Sequence, residues 1–312
     1  MALIANTFTT YTAIGLREDL SDLIDIISPT ERPLTALLGK PGKAKARQFD
    51  WQTDALASAA NNAQLEGDDV TTFTAVTPST RWVNHQQISR KEFIIAGTEE
   101  AVNKAGRDSE IDYQTLKKTK EIMRDAEFAL TQNTTFNAGA LGTARQTRGL
   151  AGWITQGSVG GGAGLMPNPA TNTAPVAGTA RAFTETLVKS AMQVAWQAGG
   201  NPTTMLVRGT DKQLASAFTG NSTRYEDSDS NKLRAAFDVY VTDFGALKIV
   251  PSRFIDAAAY LIDPEHVSWK VLRPLFRKEL ATTGDAEKRM LIMEYGLQMD
   301  NKDAHAQIRD LT

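Results

Sequence analysis

Asp54-Ala-Leu-Ala-Ser-Ala-Ala-Asn-Asn-Ala-Gln-Leu-Glu66-Gly67-Asp68-Asp69-Val-Thr-Thr-Phe-Thr-Ala-Val-Thr-Pro78 is a 25-residue stretch with no helical or strand periodicity of its own. On its N-terminal side Phe49 and Trp51 share one face of an extended segment, and on its C-terminal side Ser79 to Ile95 reads as a returning strand. A structureless loop of that length inside a compact domain is abnormal. The reading that fits is a hairpin over 46–95 that leaves the body of its own chain and finds its partners on another. Its candidate intersubunit contacts are Trp51, Glu66, Asp68, Asp69, Arg81 and Trp82.

On the N-terminal side, Leu16, Leu20, Leu23, Ile24 and Ile27 recur at three- and four-residue spacing, which places them on one helical face. Ser28-Pro29 and Arg32-Pro33 end that segment, because proline disfavours the α region in the residue before it. The basic run Gly39-Lys40-Pro41-Gly42-Lys43-Ala-Lys45-Ala-Arg47 reads as a solvated loop. After the hairpin, residues 109–136 suggest one long helix, opened by Ser109 with Asp112 as a variant capping box. Its expected buried stripe is Tyr113, Leu116, Met123 and Leu130, widened by Ile122, Ala126 and Ala129.

Composition then shifts. Residues 137–180 hold 10 of the 23 glycines, and Arg145 and Arg148 are their only charges. The core of that stretch, Gly157 to Gly164, is expected to be a mobile flap. An α/β pattern follows: a helix at about Thr184–Ala198, a strand at Thr203–Val207, a helix at Thr210–Phe218, a polar loop at Tyr225–Asn231, and a hairpin at Val239–Val250. The last 60 residues are strand-rich, with Val267, Trp269 and Val271 alternating. Leu291, Met293, Tyr295, Leu297 and Met299 do so again after a turn at Thr282–Lys288.

The chain has 312 residues, 34 basic and 36 acidic side chains, three histidines and no cysteine. Without cysteine there is no disulfide framework, thiolate metal site or cysteine nucleophile. A net charge of −2 lacks the basic excess of a dedicated nucleic-acid binder. The start has no secretory signal pattern and no stretch is apolar enough to span a bilayer, so a cytoplasmic protein without membrane contact is expected. Neither Gly160–Gly164 nor Gly39–Lys43 has phosphate-loop spacing, and Pro41 removes an amide that a phosphate cradle would use. Asp243-Phe244-Gly245 lacks every companion motif of a kinase and reads as a turn. His85, His266 and His305 are scattered, and no Gly-x-Ser-x-Gly elbow occurs. Asp227-Ser-Asp229-Ser-Asn231 imitates the start of a calcium loop, but Lys232 stands where glycine is needed and Asp238 closes it instead of glutamate. The acids at 66–69 fit an intersubunit salt bridge or plain exposure better than a cation site. No catalytic, cofactor-binding or metal-binding residue is expected, and no cofactor.

The ordered inventory of arm, hairpin, long helix, glycine-rich flap, α/β lobe and returning strands resembles the major capsid proteins of tailed double-stranded-DNA bacteriophages, whose fold also forms the herpesvirus capsid floor. Local wording is similar to one coat-protein family formerly of unknown function. The matching residues are Asp25-Ile-Ile-Ser28-Pro29-Thr30-Glu31-Arg32-Pro33-Leu34, Phe49-Asp50-Trp51-Gln-Thr-Asp54-Ala-Leu56 and Glu66-Gly67-Asp68-Asp69. Asn84-His-Gln86-Gln-Ile88-Ser, Gly97-Thr98-Glu99-Glu100-Ala101-Val102 and Lys117-Lys-Thr-Lys120-Glu121-Ile-Met-Arg124-Asp125-Ala126-Glu127 continue the series. Their order over residues 1–140 carries the likeness, and the rest matches in architecture.

The resemblance implies an α+β phage major-capsid fold. It divides the chain into an N-terminal arm at 1–45, an extended β-hairpin loop at 46–95, and a peripheral domain at 96–140 and 251–312 with a spine helix at about 109–136. An α/β axial domain at 141–250 completes it. It further implies a structural, non-enzymatic virion protein, made in the host bacterial cytoplasm, that assembles with itself as hexamers and pentamers. The product is an icosahedral shell around double-stranded DNA that is not bound by sequence. A scaffolding protein and a portal would be separate partners, with a decoration protein as an optional addition; the arm-like sequence reached by about residue 7 is what points to a separate scaffold. Some relatives join subunits by a lysine–asparagine bond from the extended loop. Here no lysine occurs between Gln48 and Arg90, so a non-covalent shell is expected. The rival readings are an encapsulating nanocompartment shell, a tail structural protein, and an α/β enzyme built on residues 182–262.

Overall fold

The computed structural model describes residues 31–70, 72–104, 106–218 and 239–312. The segment at 16–27, the loop at 225–231 and the calcium-like acids Asp227 and Asp229 lie outside the described residues. In chain order the elements are α1 (Pro33–Leu38), β1 (Gly42–Lys43), β2 (Gln48–Thr53), β3 (Thr80–His85), β4 (Gln87–Ala96), α2 (Gly97–Ala101) and α3 (Glu110–Gln132). There follow α4 (Leu150–Trp153), β5 (Gly157–Ser158), α5 (Glu185–Gln197), β6 (Thr204–Val207), α6 (Gly209–Ser216), β7 (Val239–Thr242) and β8 (Gly245–Pro251). The chain ends with β9 (Ala258–Ile262), β10 (Val267–Leu280), β11 (Ala286–Met299) and β12 (Ala306–Arg309).

Two sheets organise these elements. One has the order β1-β10-β11-β4, the other β5-β12-β9-β6-β8-β7, and β2 with β3 forms a separate ribbon. At 14 residues each, β10 and β11 run for about 46 Å. The expected return strand at 79–95 divides at Gln86 into β3, which stays with the ribbon, and β4, which joins the long sheet beside β11. The six-stranded sheet takes β9 and β12 from residues 251–312, so the sequence boundary at 250/251 cuts through it. Those strands reach their neighbours by non-local pairing, Leu261 opposite Met205 and Ala306 opposite Leu261, which local periodicity does not encode.

Helix α3 braces the long sheet. Ser109 caps it, its Oγ accepting from the Asp112 amide at 3.2 Å, as the sequence signature anticipates. It spans 23 residues, about 34 Å, and stops at Asn133, four residues short of the expected end. Ile111, Ile122, Ala126, Ala129 and Leu130 are buried, but Leu116 stands 53% exposed, so the buried stripe is rotated from the expected one in the N-terminal half. The C-terminal half is fixed by a polar contact. Glu127 is fully buried, and its two carboxylate oxygens accept from the Leu34 and Thr35 amides at 2.6 and 2.9 Å. That fixes α1 over the same turn of α3. Burial pushes the Glu127 carboxyl above its usual range, against the pull of those amides and Arg32.

The six-stranded sheet separates two cores. Leu206, Tyr260 and Ile262 face α3, α4 and the long sheet, whereas Met205, Val207, Leu247 and Leu261 face α5 through Val188, Ala191, Met192 and Ala195. The glycine-rich stretch is not the loose flap expected of it. A Cβ on Gly160 would meet the Thr179 carbonyl at 1.9 Å, and one on Gly178 would meet the Gly160 carbonyl at 2.4 Å. These glycines let two backbones touch, so the segment buries main chain where it has little side chain to bury.

Candidate assembly surface

The ribbon is short and its loop is long. Over Gln48–Thr53 and Thr80–His85 the strands pair antiparallel with Trp51 directly opposite Trp82. Beyond Thr53 the described residues of 54–79 are exposed and carry no regular element, apart from a turn in which the Asp68 amide donates to the Leu65 carbonyl at 3.2 Å. Five large apolar side chains stand on it: Leu56, Leu65, Val70, Phe73 and Val76, between 68% and 99% exposed. Isolated exposed leucines are ordinary, but five on one 26-residue projection are an interaction surface. Sequence reading took this stretch as polar and missed them. Their signal was the run of large apolar residues within a segment that has no core of its own.

At the root the ribbon is held firmly. The Trp51 and Trp82 rings lie 5.1 and 6.0 Å from the ring of Trp153, which is 1% exposed. Trp82 also donates its indole hydrogen to Thr53 Oγ1 at 2.8 Å. Below Trp153 sits Arg148, its guanidinium 4.4 Å from that ring and 4.9 Å from Phe136, with a hydrogen bond to Asn172 Oδ1 at 2.7 Å. Burial pulls the Arg148 guanidinium down to about 10, so it stays charged at neutral pH. Asn84, at the end of the ribbon, accepts from the Arg148 amide at 2.9 Å. It donates to the carbonyls of Arg148 and Leu297 at 3.1 and 2.6 Å. Glu294 of β11 accepts from Arg145 and Arg273 at 3.3 and 2.8 Å, pinning the 137–146 turn to the long sheet.

The six candidate contacts thus fall into two groups. Trp51 and Trp82 are half-buried and come together on Trp153 of their own chain, and Arg81 pairs with Asp50 at the ribbon edge. Burial opposes ionisation of Asp50, but Arg81 and Gln48 hold its carboxyl below the usual range. Glu66, Asp68 and Asp69 are exposed on the loop between the two strands of the ribbon. Trp153 and Arg148, which anchor the first group, were missed in sequence because they sit in the glycine-rich stretch. A Cβ on Gly152 would strike the Thr134 carbonyl at 2.0 Å, and that close approach is what seats Trp153 under the ribbon. Among the described residues, no group of three acidic or histidine side chains could hold a metal, and no helix is long and apolar enough to cross a membrane. His305, one of the three scattered histidines, is buried and accepts from the Asp263 amide through Nδ1 at 3.1 Å.

Comparison with known proteins gives one consistent answer. The SU10 major capsid protein family matches over residues 3–312. The major capsid protein of Escherichia phage Phieco32 is 36% identical over 121 residues, 38% of this chain and 34% of that protein, so the match spans about a third of the curated relative's length. Among solved structures, a chain of the Cyanophage A-1(L) capsid asymmetric unit superposes with a TM-score of 0.66 at 13% identity, covering 97% of this chain and 98% of its own. An encapsulin complex from Synechococcus elongatus shares the fold at a TM-score of 0.54 and 12% identity, with 96% of each chain covered.

Proposed function

The chain belongs to the SU10 major capsid protein family, and from that premise we propose that it assembles as hexamers and pentamers into a closed icosahedral shell enclosing a double-stranded DNA genome. The family is structural, and the chain is a phage capsid protein rather than an enzyme. The observation that carries the assembly mode is the loop at 54–79, with five large apolar side chains exposed and a root locked onto Trp153. A rigidly aimed, apolar projection is stable in water when a neighbour receives it.

Each such contact is modest, and its repetition around a closed shell supplies the stability by avidity. The net charge of −2 suits a wall that confines DNA without gripping its phosphates. A scaffolding protein, a portal and an optional decoration protein complete the set of partners, and assembly takes place in the host cytoplasm. The fold is shared with an encapsulin, which the family match does not favour; the content of particles decides between them. Purified particles that hold DNA after nuclease treatment support the capsid reading, and particles holding an enzyme instead would refute it.

A further inference from the structure

The basic run between α1 and the ribbon has no part in the loop's assembly surface, and the fold gives it a definite shape. Residues 32–49 carry Arg32, Lys40, Lys43, Lys45 and Arg47 and no acid, in a chain whose net charge is −2. Sequence alone reads a solvated loop; in the structure the middle of the run is β1, added parallel to β10 at the edge of the long sheet. Ala44 is buried, and its amide donates to the Val271 carbonyl at 3.0 Å. Lys43 and Lys45 flank Ala44 and are exposed on the side opposite it. Lys40 and Arg47 bracket the strand and are exposed as well. Lys270 of β10 completes the set. It lies in register with Gly42, and a Cβ on that glycine would come within 2.9 Å of its ammonium, so the missing side chain is what lets Lys270 lie across the edge.

Among the described residues, Lys40, Lys43, Lys45, Arg47 and Lys270 have no acidic partner. The acids at either end of the run are engaged elsewhere, Glu31 with Arg253 and Asp50 with Arg81. Glu294 on the same sheet is taken by Arg145 and Arg273. Lysines on a sheet edge deter strand addition, but a two-residue edge is already too short to template one. A protein partner would ask for apolar surface, and from Gly39 to Arg47 every residue that is not cationic is glycine, proline or alanine. Small residues between cations instead let a rigid, densely charged surface approach closely.

We propose that this edge binds the phosphates of double-stranded DNA, the polyanion that the shell encloses on the reading given above, on which this proposal rests. The run offers no Asn, Gln or aromatic side chain to the bases, so the contact is with the backbone and without sequence preference. The rest of the wall stays net acidic, and the contact is confined to one edge of each subunit.

The test uses the unassembled full-length chain and a fluorescein-labelled DNA duplex of arbitrary sequence, with affinity read by anisotropy from about 50 to 200 mM salt. Five phosphate contacts give a slope of log affinity against log salt of about −4.5. In the triple variant Lys40→Gln, Lys43→Gln, Lys45→Gln the slope should be shallower by about 2.7, so the parent loses roughly 40-fold more affinity than the variant over that range. A control, Lys248→Gln, Arg277→Gln, Lys278→Gln, removes the same charge from exposed positions on β8 and β10 and should keep the parent's slope. Arginine at 40, 43 and 45 should also keep it, which separates lost charge from lost folding. A parent that does not bind the duplex at the lowest salt would overturn the proposal, as would a control that loses as much slope as the triple variant. Polyglutamate of equal charge binding as tightly as the duplex would overturn it too, because the occupant would then be an acidic polypeptide. Electron microscopy keeps this site apart from the shell reading. Shells of the triple variant should still close, and a variant that no longer assembles would make the edge an assembly contact instead. Absent duplex binding by a chain that closes shells would sink the site and leave the shell standing.

Discussion

Phe73 offers the sharpest separation between folding and assembly. It stands 86% exposed on the projecting loop and touches no core of its own chain. Phe73→Ala should therefore leave the stability of the unassembled chain within about 0.5 kcal/mol of the parent. On the proposed seating the same ring is covered by a neighbour in the shell, and losing it should cost about 2 kcal/mol. If each subunit gives one loop and receives one, as that seating requires in a closed ring, the loss counts once per subunit. At tenfold per 1.4 kcal/mol, the concentration at which shells appear should rise roughly 30-fold. Light scattering against chain concentration gives the assembly threshold, and urea unfolding of unassembled chain gives the stability. An unchanged threshold with unchanged folding would refute the assignment of the loop to a neighbour. A large loss of folding stability would equally refute it, because the ring would then belong to its own chain.

The root should respond in the opposite manner. Trp153→Ala removes a buried ring that packs against Trp51, Trp82 and Arg148, and urea unfolding of the unassembled chain should show a loss of about 3–5 kcal/mol. His305 is pulled down to about 4 by burial, so between its unfolded value of 6.5 and pH 4 the unfolded chain binds the extra proton. Stability should fall by about 3 kcal/mol as pH drops through that window, and His305→Asn should flatten the profile. His85, also lowered by burial, will leave a smaller residual slope in the variant. With no lysine from 48 to 90, denaturing gels of purified particles should give one band near monomer mass, and a ladder would contradict the non-covalent shell.

Local signals carried much of this fold. The Ser109 cap, the alternation at 291–299 and the turn at Asp243-Phe244-Gly245 were all readable because each depends on neighbours within a few residues. The long loop revealed itself by length alone. What stayed hidden depends on distant partners. Gly160 reads as part of a mobile flap, and Gly152 and Gly178 only as members of a glycine-rich stretch, but their lack of a side chain serves close backbone contact with residues about twenty positions away along the chain. Leu116 read as core because periodicity marks an apolar stripe without saying what covers it. Glu127 gave no sign of burial, since its partners are the amides of Leu34 and Thr35, some 90 residues earlier. The acids at 66–69 are visible in the sequence, yet the exposed apolar residues around them are what distinguish a docking surface from a solvated one.

The central claim is that this chain is complete only beside copies of itself, with the loop at 54–79 seated on a neighbour. Negative-stain electron microscopy of the purified full-length chain at high concentration tests it most directly. Closed shells, or rings of five and six subunits, are the expected result. A monomer or dimer that persists at every concentration would contradict it.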